Sequence, residues 1–577
     1  MDILRLNKAN NKIKIISLIF TAFLILWISK WPEIYVFATP SDMTISERLL
    51  NIPIHLSDDV MISLRSGYML NKIGFPSFNF NDLSNPSTSY FAPYLYFLLN
   101  KFLPHNFSTL IYALFGFLSV LFTFAIIIYN SRSFFNGLIA IFGFTISSTS
   151  INFSLNGWDH LFQTFFLLYA IYLYFKEENN KLNFILTGVS LAFAFLWRPD
   201  AIIIIFSIFV SMIIKTFNSK KINNYLYSFI PFLSICLPFL ISNYLNFGYL
   251  TPTTARLKIG ATPSVKYSIF YLINNTLLDF SIITVFLILI LIYIFNIRKK
   301  TNLQIDIIVI GSFLTAAVAS FNSDVFAGGR MFWAPASILC LFICKFSSPL
   351  ISSPLISEET KFLNFNFKDL NFSFGKNYLK IIITCFLSLS LFFYTVKILK
   401  NKFLIGAISS SEIHSSNHAS QFAVANWIKN NLDPKDGSIG FLYLGISYHL
   451  NDFSIADFLG KADEQIAQTK SKLGKPGHNK YDVNATLDKW DPQAIVPPYS
   501  LRYIDKKFIE TSKNQLANNP SYTSFKYSLF GNKRILDNYS FCYVKQSEKK
   551  LIDTWGLMIR NDILKKQNSN TICKSFN

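Results

Sequence analysis

The chain has 577 residues, 51% hydrophobic and 15% charged, with a mean hydropathy of +0.35. Soluble domains carry about 25% charged residues, so this is a membrane composition; a disordered chain, a collagen-like fibre and an ordinary soluble enzyme are excluded. Lys+Arg outnumber Asp+Glu by 53 to 33, a net charge of +20, and in a polytopic protein such a balance belongs first to cytoplasmic loops facing anionic lipid, not to nucleic acid.

The first apolar run, 15–31, follows a basic head with Arg5, Lys8, Lys12 and Lys14. No small-residue cleavage site follows it, so it reads as an uncleaved anchor. A large loop over 32–107 comes next, and within it 90–103, short and containing Pro93, reads as an interfacial helix. Further runs lie at 108–130, 134–150, 158–175, 181–198, 200–216, 225–247, 277–296, 303–321, 331–346 and 378–399. Together they predict a polytopic α-helical membrane domain over 1–400 with about 11 transmembrane helices. The stretch 347–377 is low in complexity and reads as a cytoplasmic loop. Residues 401–577 have soluble composition; an amphipathic helix at 416–431 and a buried strand at 438–444 predict a C-terminal α/β extracytoplasmic cap domain.

Loop charge predicts a cytoplasmic N-terminus and an extracytoplasmic C-terminal domain. Arg132, Lys176, Lys181, Lys220, Lys221, Arg298, Lys299 and Lys300 fall in alternate loops. Arg65, Lys72, Arg198, Arg256, Lys258 and Arg330 sit on the opposite, outer side. Cations that break the bias beside a membrane often hold an anion. Of the six cysteines, Cys236, Cys340, Cys344 and Cys385 lie in apolar runs and read as small core residues. Cys542 and Cys573 lie in the cap, where an oxidising compartment permits a disulfide.

Candidate chemistry gathers on that outer side. Asp58 and Asp59 open a helix-like stretch that carries Arg65 two turns on. One acid suffices for a helix N-cap, so the second points to a base or ligand role. Asp159 and His160 follow Trp158 at a span end; adjacent residues do not share a helix face, which argues against a metal site. Arg198-Pro199-Asp200 is a tight turn, either salt-bridged or presenting a guanidinium fork to phosphate. Thr253 to Lys258 adds two cations, and Gly328-Gly329-Arg330 opens a late span as a flexible turn or a site of close ligand approach. Span middles are almost free of charge, unlike those of a transporter. A belt of acids and cations at this level suits transfer of a sugar from a lipid-linked phosphate.

These motifs resemble the GT-C superfamily of membrane glycosyltransferases, most closely the mycobacterial terminal β-(1→2)-arabinofuranosyltransferase family. The D-D-A-x-I-[ST]-x-R element stands here as Asp58 to Arg65, with Val60 for Ala; G-[LM]-E as Gly157-Trp158-Asp159; R-P-[DE] as Arg198-Pro199-Asp200. P-N-T-x-x-x-K is similar to Pro252 to Lys258, with Thr253 for Asn, and G-R-[FY] to Gly329-Arg330-Met331. In the cap, G-x-x-x-Y, v-x-D-x-x-G-L-x-D and G-H-x-K are similar to Gly445 to Tyr448, Ile455 to Asp463 and Gly477 to Lys480.

The resemblance implies a GT-C fold and a polyprenyl-phosphate-linked sugar donor, with arabinofuranose one candidate sugar. It implies a glycan, lipid or protein acceptor. Asp58 is the expected general base and Asp59 its companion. Arg65, Asp159, Arg198, Asp200, Lys258 and Arg330 are expected on the donor phosphate and sugar, Asp457 and His478 on the acceptor. No cofactor is required and no metal ligand is assigned, although a divalent cation is compatible with the superfamily. A lipid-linked sugar flippase or exporter, and an oligosaccharide polymerase or ligase, are the alternatives.

Overall fold

The computed structural model describes most residues between 56 and 575. Residues 1–55, 132–156 apart from Phe144, most of 259–280, 322–328, 347–423, 545–554 and several shorter stretches fall outside the described residues. The runs expected at 15–31, 134–150 and 378–399 are therefore not described, Phe144 excepted.

The chain first forms α1 (Asp58–Ile73), α2 (Ala92–Phe102) and α3 (His105–Tyr129). Asp58 and Asp59 occupy the first turn of α1 and Lys72 its last, the charge order that a helix dipole favours. Pro93 starts α2, where its missing N–H costs nothing. The stretch expected to lie at the interface is this α2. It buries Ala92, Pro93 and Tyr96 and leaves Leu98 and Phe102 exposed.

The apolar helices follow: α4 (Asp159–Tyr174), α5 (Lys181–Trp197), α6 (Ile202–Ser219), α7 (Asn223–Phe247), the short α8 (Thr253–Lys258), α9 (Ile282–Ile292), α10 (Leu303–Phe321) and α11 (Trp333–Phe346). Among the described residues, four segments, Phe107–Tyr129, Pro199–Thr216, Tyr225–Phe247 and Leu303–Ser320, are long and apolar enough to cross a bilayer; Lys181–Trp197 and Ile282–Phe295 are shorter apolar helices. Among the described residues, the run expected at 277–296 is α-helical over α9 and continues as a π turn, Tyr293–Ile297. Several hydroxyls within this bundle bond backbone carbonyls: Ser228 donates across to the Phe184 carbonyl at 2.7 Å, and Thr187 back to Asn183 at 2.7 Å. Unpaired polar groups are costly where water is absent.

The C-terminal part builds a six-stranded mixed sheet. Its strands are β1 (Ile439–Phe441), β2 (Ile455–Asp457), β3 (Ala494–Val496), β4 (Tyr539–Val544), β5 (Trp555–Arg560) and β6 (Ile572–Ser575), in the order β2-β1-β3-β5-β4-β6. β1 runs parallel to β2 and β3, and the other pairings are antiparallel. Alternation gives the sheet two buried faces. Leu557 and Ile559 pack with Val424, Ala425 and Ile428 of a helix at 424–431. Met558 and Ile495 pack with Phe525 and Leu529 on the other side. Cys542 and Cys573 are register partners on β4 and β6 and form a disulfide.

The sheet domain and the first loop share their cores. Ile62 and Phe78 lie in the apolar cluster of the sheet domain, and Tyr448 lies in that of the helices. Its hydroxyl bonds Tyr96 Oη at 2.5 Å and Thr109 Oγ1 at 2.8 Å. The Asn79 side-chain amide donates to the Ile455 carbonyl and accepts the Ile455 N–H, at 2.9 and 2.8 Å. This seam sets the position of α1, and with it the paired aspartates.

Candidate active site

Alternating chain direction brings one set of helix ends together. The starts of α4, α6 and α11 meet the end of α5 and the segment after α7. The first turn of α1 and two turns of the sheet domain close over them. Asp58, Asp59, Asp159 and Asp200 thereby face Arg198, Lys258, Arg330 and Lys461.

Asp58 accepts the Gly445 N–H on Oδ1, and its Oδ2 lies 3.3 Å from Lys461 Nζ. Asp59 Oδ2 is 3.0 Å from Arg330 Nη1, and its Oδ1 is 3.7 Å from Lys461 Nζ. Burial alone would raise the Asp59 pKa, but Arg330, Lys461 and Lys258 outweigh it and hold the carboxyl well below the usual range. Asp59 is therefore ionised throughout the physiological range. Lys461 is buried, which disfavours its charge, yet Asp58, Asp59 and Asp457 push its ammonium above the ordinary lysine value. The Arg330 guanidinium also stacks 4.1 Å above the Trp158 ring.

Behind this pair lies a second layer. Thr88 donates to Asp159 Oδ2 at 2.7 Å, and Asp159 is buried within electrostatic range of Arg198, Asp59 and Arg330. Its Oδ1 has no hydrogen-bond partner among the described residues. Gly157 holds φ +64°, and a Cβ there would meet the Tyr112 ring at 2.9 Å, so glycine is required to seat Trp158 and Asp159. Arg198 forks onto Asp200, Nε to Oδ1 at 3.1 Å and Nη2 to Oδ2 at 3.0 Å. Asp200 also accepts from Gln163 at 3.1 Å. The salt-bridged turn is thus real, and it sits in the cluster. Lys258 reaches Asp59 and Asp200 electrostatically and passes beside Gly477, next to the half-buried His478.

Two expected ligands stand elsewhere. Arg65 is fully buried and does not join the cluster. Its Nε donates to the Phe78 carbonyl, Nη1 to Ser447 and Leu450, and Nη2 to Phe453, at 2.6–2.9 Å. A guanidinium spent on four carbonyls is a bolt between loop and sheet domain, not a phosphate ligand. Asp457 is 1% exposed, and its carboxylate takes the N–H groups of Leu459 and Ala462 at 2.9 and 2.5 Å. Burial pushes its pKa up to about 6. It shapes the turn that carries Lys461 and presents nothing to an acceptor. Arg256 pairs with Glu464 and covers the Tyr249 ring, a second structural bolt.

Lys461 is the functional residue that motif reasoning passed over. It stands where the resembled pattern has Leu, and a cation in an otherwise apolar turn was the available signal. Gly445 is the other. A Cβ there would meet Asp58 Oδ1 at 2.7 Å and Asp58 Cα at 2.9 Å. Gly445→Ala is expected to displace the Asp58 carboxylate and the backbone at the start of α1, cutting activity at least tenfold and lowering the thermal unfolding midpoint; unchanged turnover would show that this contact is not needed. Among the described residues, no group of three or more His, Cys, Asp and Glu is placed to hold a metal ion.

No protein-family model and no curated protein matches the sequence. Among solved structures the chain is similar to ArnT from Cupriavidus metallidurans bound to undecaprenyl phosphate, with 14% identity and a TM-score of 0.48 over 95% of this chain and 98% of that one. It is also similar to the archaeal oligosaccharyltransferase AglB from Archaeoglobus fulgidus in complex with an inhibitory peptide and a dolichol-phosphate, with 10% identity and a TM-score of 0.43 over 96% and 75% of the two chains.

Proposed function

We propose that the chain is a polytopic membrane glycosyltransferase that moves a sugar from a polyprenyl-phosphate donor to an extracytoplasmic glycan, lipid or protein. The observation that carries this reading is the adjacent pair Asp58 and Asp59. It is only partly exposed, it is held between Lys461 and Arg330, and it lies at one end of apolar helices beneath the sheet domain. In this reading the N-terminus is cytoplasmic and the sheet domain is an extracytoplasmic cap.

Asp58 takes the proton of an acceptor hydroxyl as that oxygen bonds to the anomeric carbon. The bond from that carbon to the phosphate oxygen breaks, and its electron pair leaves with the polyprenyl phosphate. A phosphate is a weak base, so it departs without a proton donor. Arg330, Lys258 and Arg198 supply preorganised positive charge where charge grows. Asp59, permanently ionised, fixes Arg330. Asp159 and Asp200 orient the donor sugar and Arg198. Arabinofuranose is the first sugar to test.

The test is a transfer assay on the purified protein in nanodiscs, with polyprenyl-phosphoryl arabinofuranose and other polyprenyl-phosphoryl sugars, and mass spectrometry of copurifying lipid. Release of polyprenyl phosphate and a glycosylated acceptor are expected. Consumption of a diphosphate-linked oligosaccharide would instead make the protein a polymerase or ligase. Movement of an intact sugar lipid across the bilayer would make it a flippase.

A further inference from the structure

Among the described residues, Lys461 is the cluster cation that the sheet domain supplies, and its turn is bolted down. Asp457 holds the N–H groups on either side of it, at Leu459 and Ala462. The Ala462 carbonyl accepts from Ser84 at 2.8 Å, and the Asp463 carboxylate receives Lys489 and Trp490 at 3.0 and 2.8 Å. The backbone is fixed, and the ammonium reaches the carboxylates on a flexible four-carbon stem.

Its ionic contacts are loose. At 3.3 Å from Asp58 and 3.7 Å from Asp59, they exceed the roughly 2.7–2.9 Å of a tight charge-assisted bond. An ammonium has three donors, and among the described residues Lys461 makes one hydrogen bond, to Asp58. Asp58 in turn is covered on both oxygens, by Gly445 N–H and by Lys461. A carboxylate engaged on both oxygens leaves little room for an acceptor hydroxyl until one of these contacts opens.

We infer that Lys461 is a shuttling counter-ion, which masks Asp58 in the ligand-free site and passes to the anionic headgroup of the donor, so that the base is released only once donor is in place. This positioning role rests on the glycosyltransferase reading. It makes binding ordered, donor before acceptor, and protects the donor from a base that would otherwise activate water. The charged groups around the pair all take part in the balance. Asp58 faces Lys461 and Asp59; Asp59 faces Arg330, Lys258 and Asp159; Lys461 also feels Asp457.

The test uses the full chain in nanodiscs, with undecaprenyl phosphate as the binding probe. Lys461→Leu is expected to weaken undecaprenyl phosphate binding about 10- to 100-fold, the loss of one hydrogen bond to a charged group. It should raise donor KM more than it lowers kcat. It should also move the acid limb of the rate profile to higher pH, because Asp59 loses one of the cations that hold its carboxyl down. Lys461→Arg should restore binding. If Lys461→Leu does not fold, Lys461→Leu combined with Asp58→Asn keeps the charge balance and should still bind the probe weakly. Wild-type probe affinity and an unmoved acid limb in Lys461→Leu, with transfer intact in the parent, would overturn the shuttle and leave the glycosyltransferase reading standing. A parent that neither binds the probe nor transfers sugar would overturn both.

Discussion

Asp58→Asn is expected to lower sugar transfer by about 10²–10⁴-fold, the contribution of a positioned general base. Asparagine has nearly the same shape, and its carbonyl oxygen still accepts the Gly445 N–H that Asp58 Oδ1 now holds. The fold and the thermal unfolding midpoint should therefore survive. What is lost is the site for the acceptor proton. Asp59→Asn is a useful contrast, because it strips a buried partner from Arg330, whose side chain is 3% exposed. That variant should lose stability as well as rate, since an uncompensated buried charge is costly. Release of polyprenyl phosphate against time, beside a melting curve, separates the two. Near parental transfer by folded Asp58→Asn would remove Asp58 from the role of base.

Arg65→Leu is expected to prevent stable folding. Four buried carbonyls would lose the guanidinium at once; those of Ser447 and Leu450 keep the N–H groups of Leu450 and Phe453, whereas those of Phe78 and Phe453 lose the donor described above. Each unpaired buried carbonyl costs about 1–3 kcal/mol, against a typical total stability of about 5–15 kcal/mol. Arg65→Lys should rescue little, because a point-like ammonium cannot span acceptors arranged around a planar fork. The check is expression and thermal unfolding in detergent. A folded, stable Arg65→Leu protein that had lost only donor binding would return Arg65 to the phosphate.

Apolar length made most of the helical domain legible from the sequence. The segments 108–130, 158–175, 181–198 and 303–321 correspond within a few residues to helices, because about 20 apolar residues have one way to satisfy their backbone in lipid. The sheet was legible only at 438–444, where β1 forms. The short strands of residues such as Ala494 and Ile455 take their identity from partners far along the chain, which periodicity cannot see. The cations that break the expected loop-charge bias divide in the folded chain. Arg198, Lys258 and Arg330 reach the cluster, whereas Arg65 and Arg256 bolt loops together. The difference lies in which carbonyls or carboxylates surround each guanidinium, a property of the folded chain alone. Lys461 was missed for the opposite reason: a turn in a soluble-looking segment gives no bias for a charge to break.

The bonds from Arg65 to Ser447, Leu450 and Phe453 cross 382 to 388 residues of sequence. At about 5–20 residues per second of synthesis, some 20–80 s separate the two halves of that joint. During this interval Arg65 lacks three of its four carbonyl partners, and Asp58 lacks the glycine and lysine that frame it. On the glycosyltransferase reading, a nascent chain that has not yet made its sheet domain lacks the contacts that frame its base, so turnover waits for the end of synthesis.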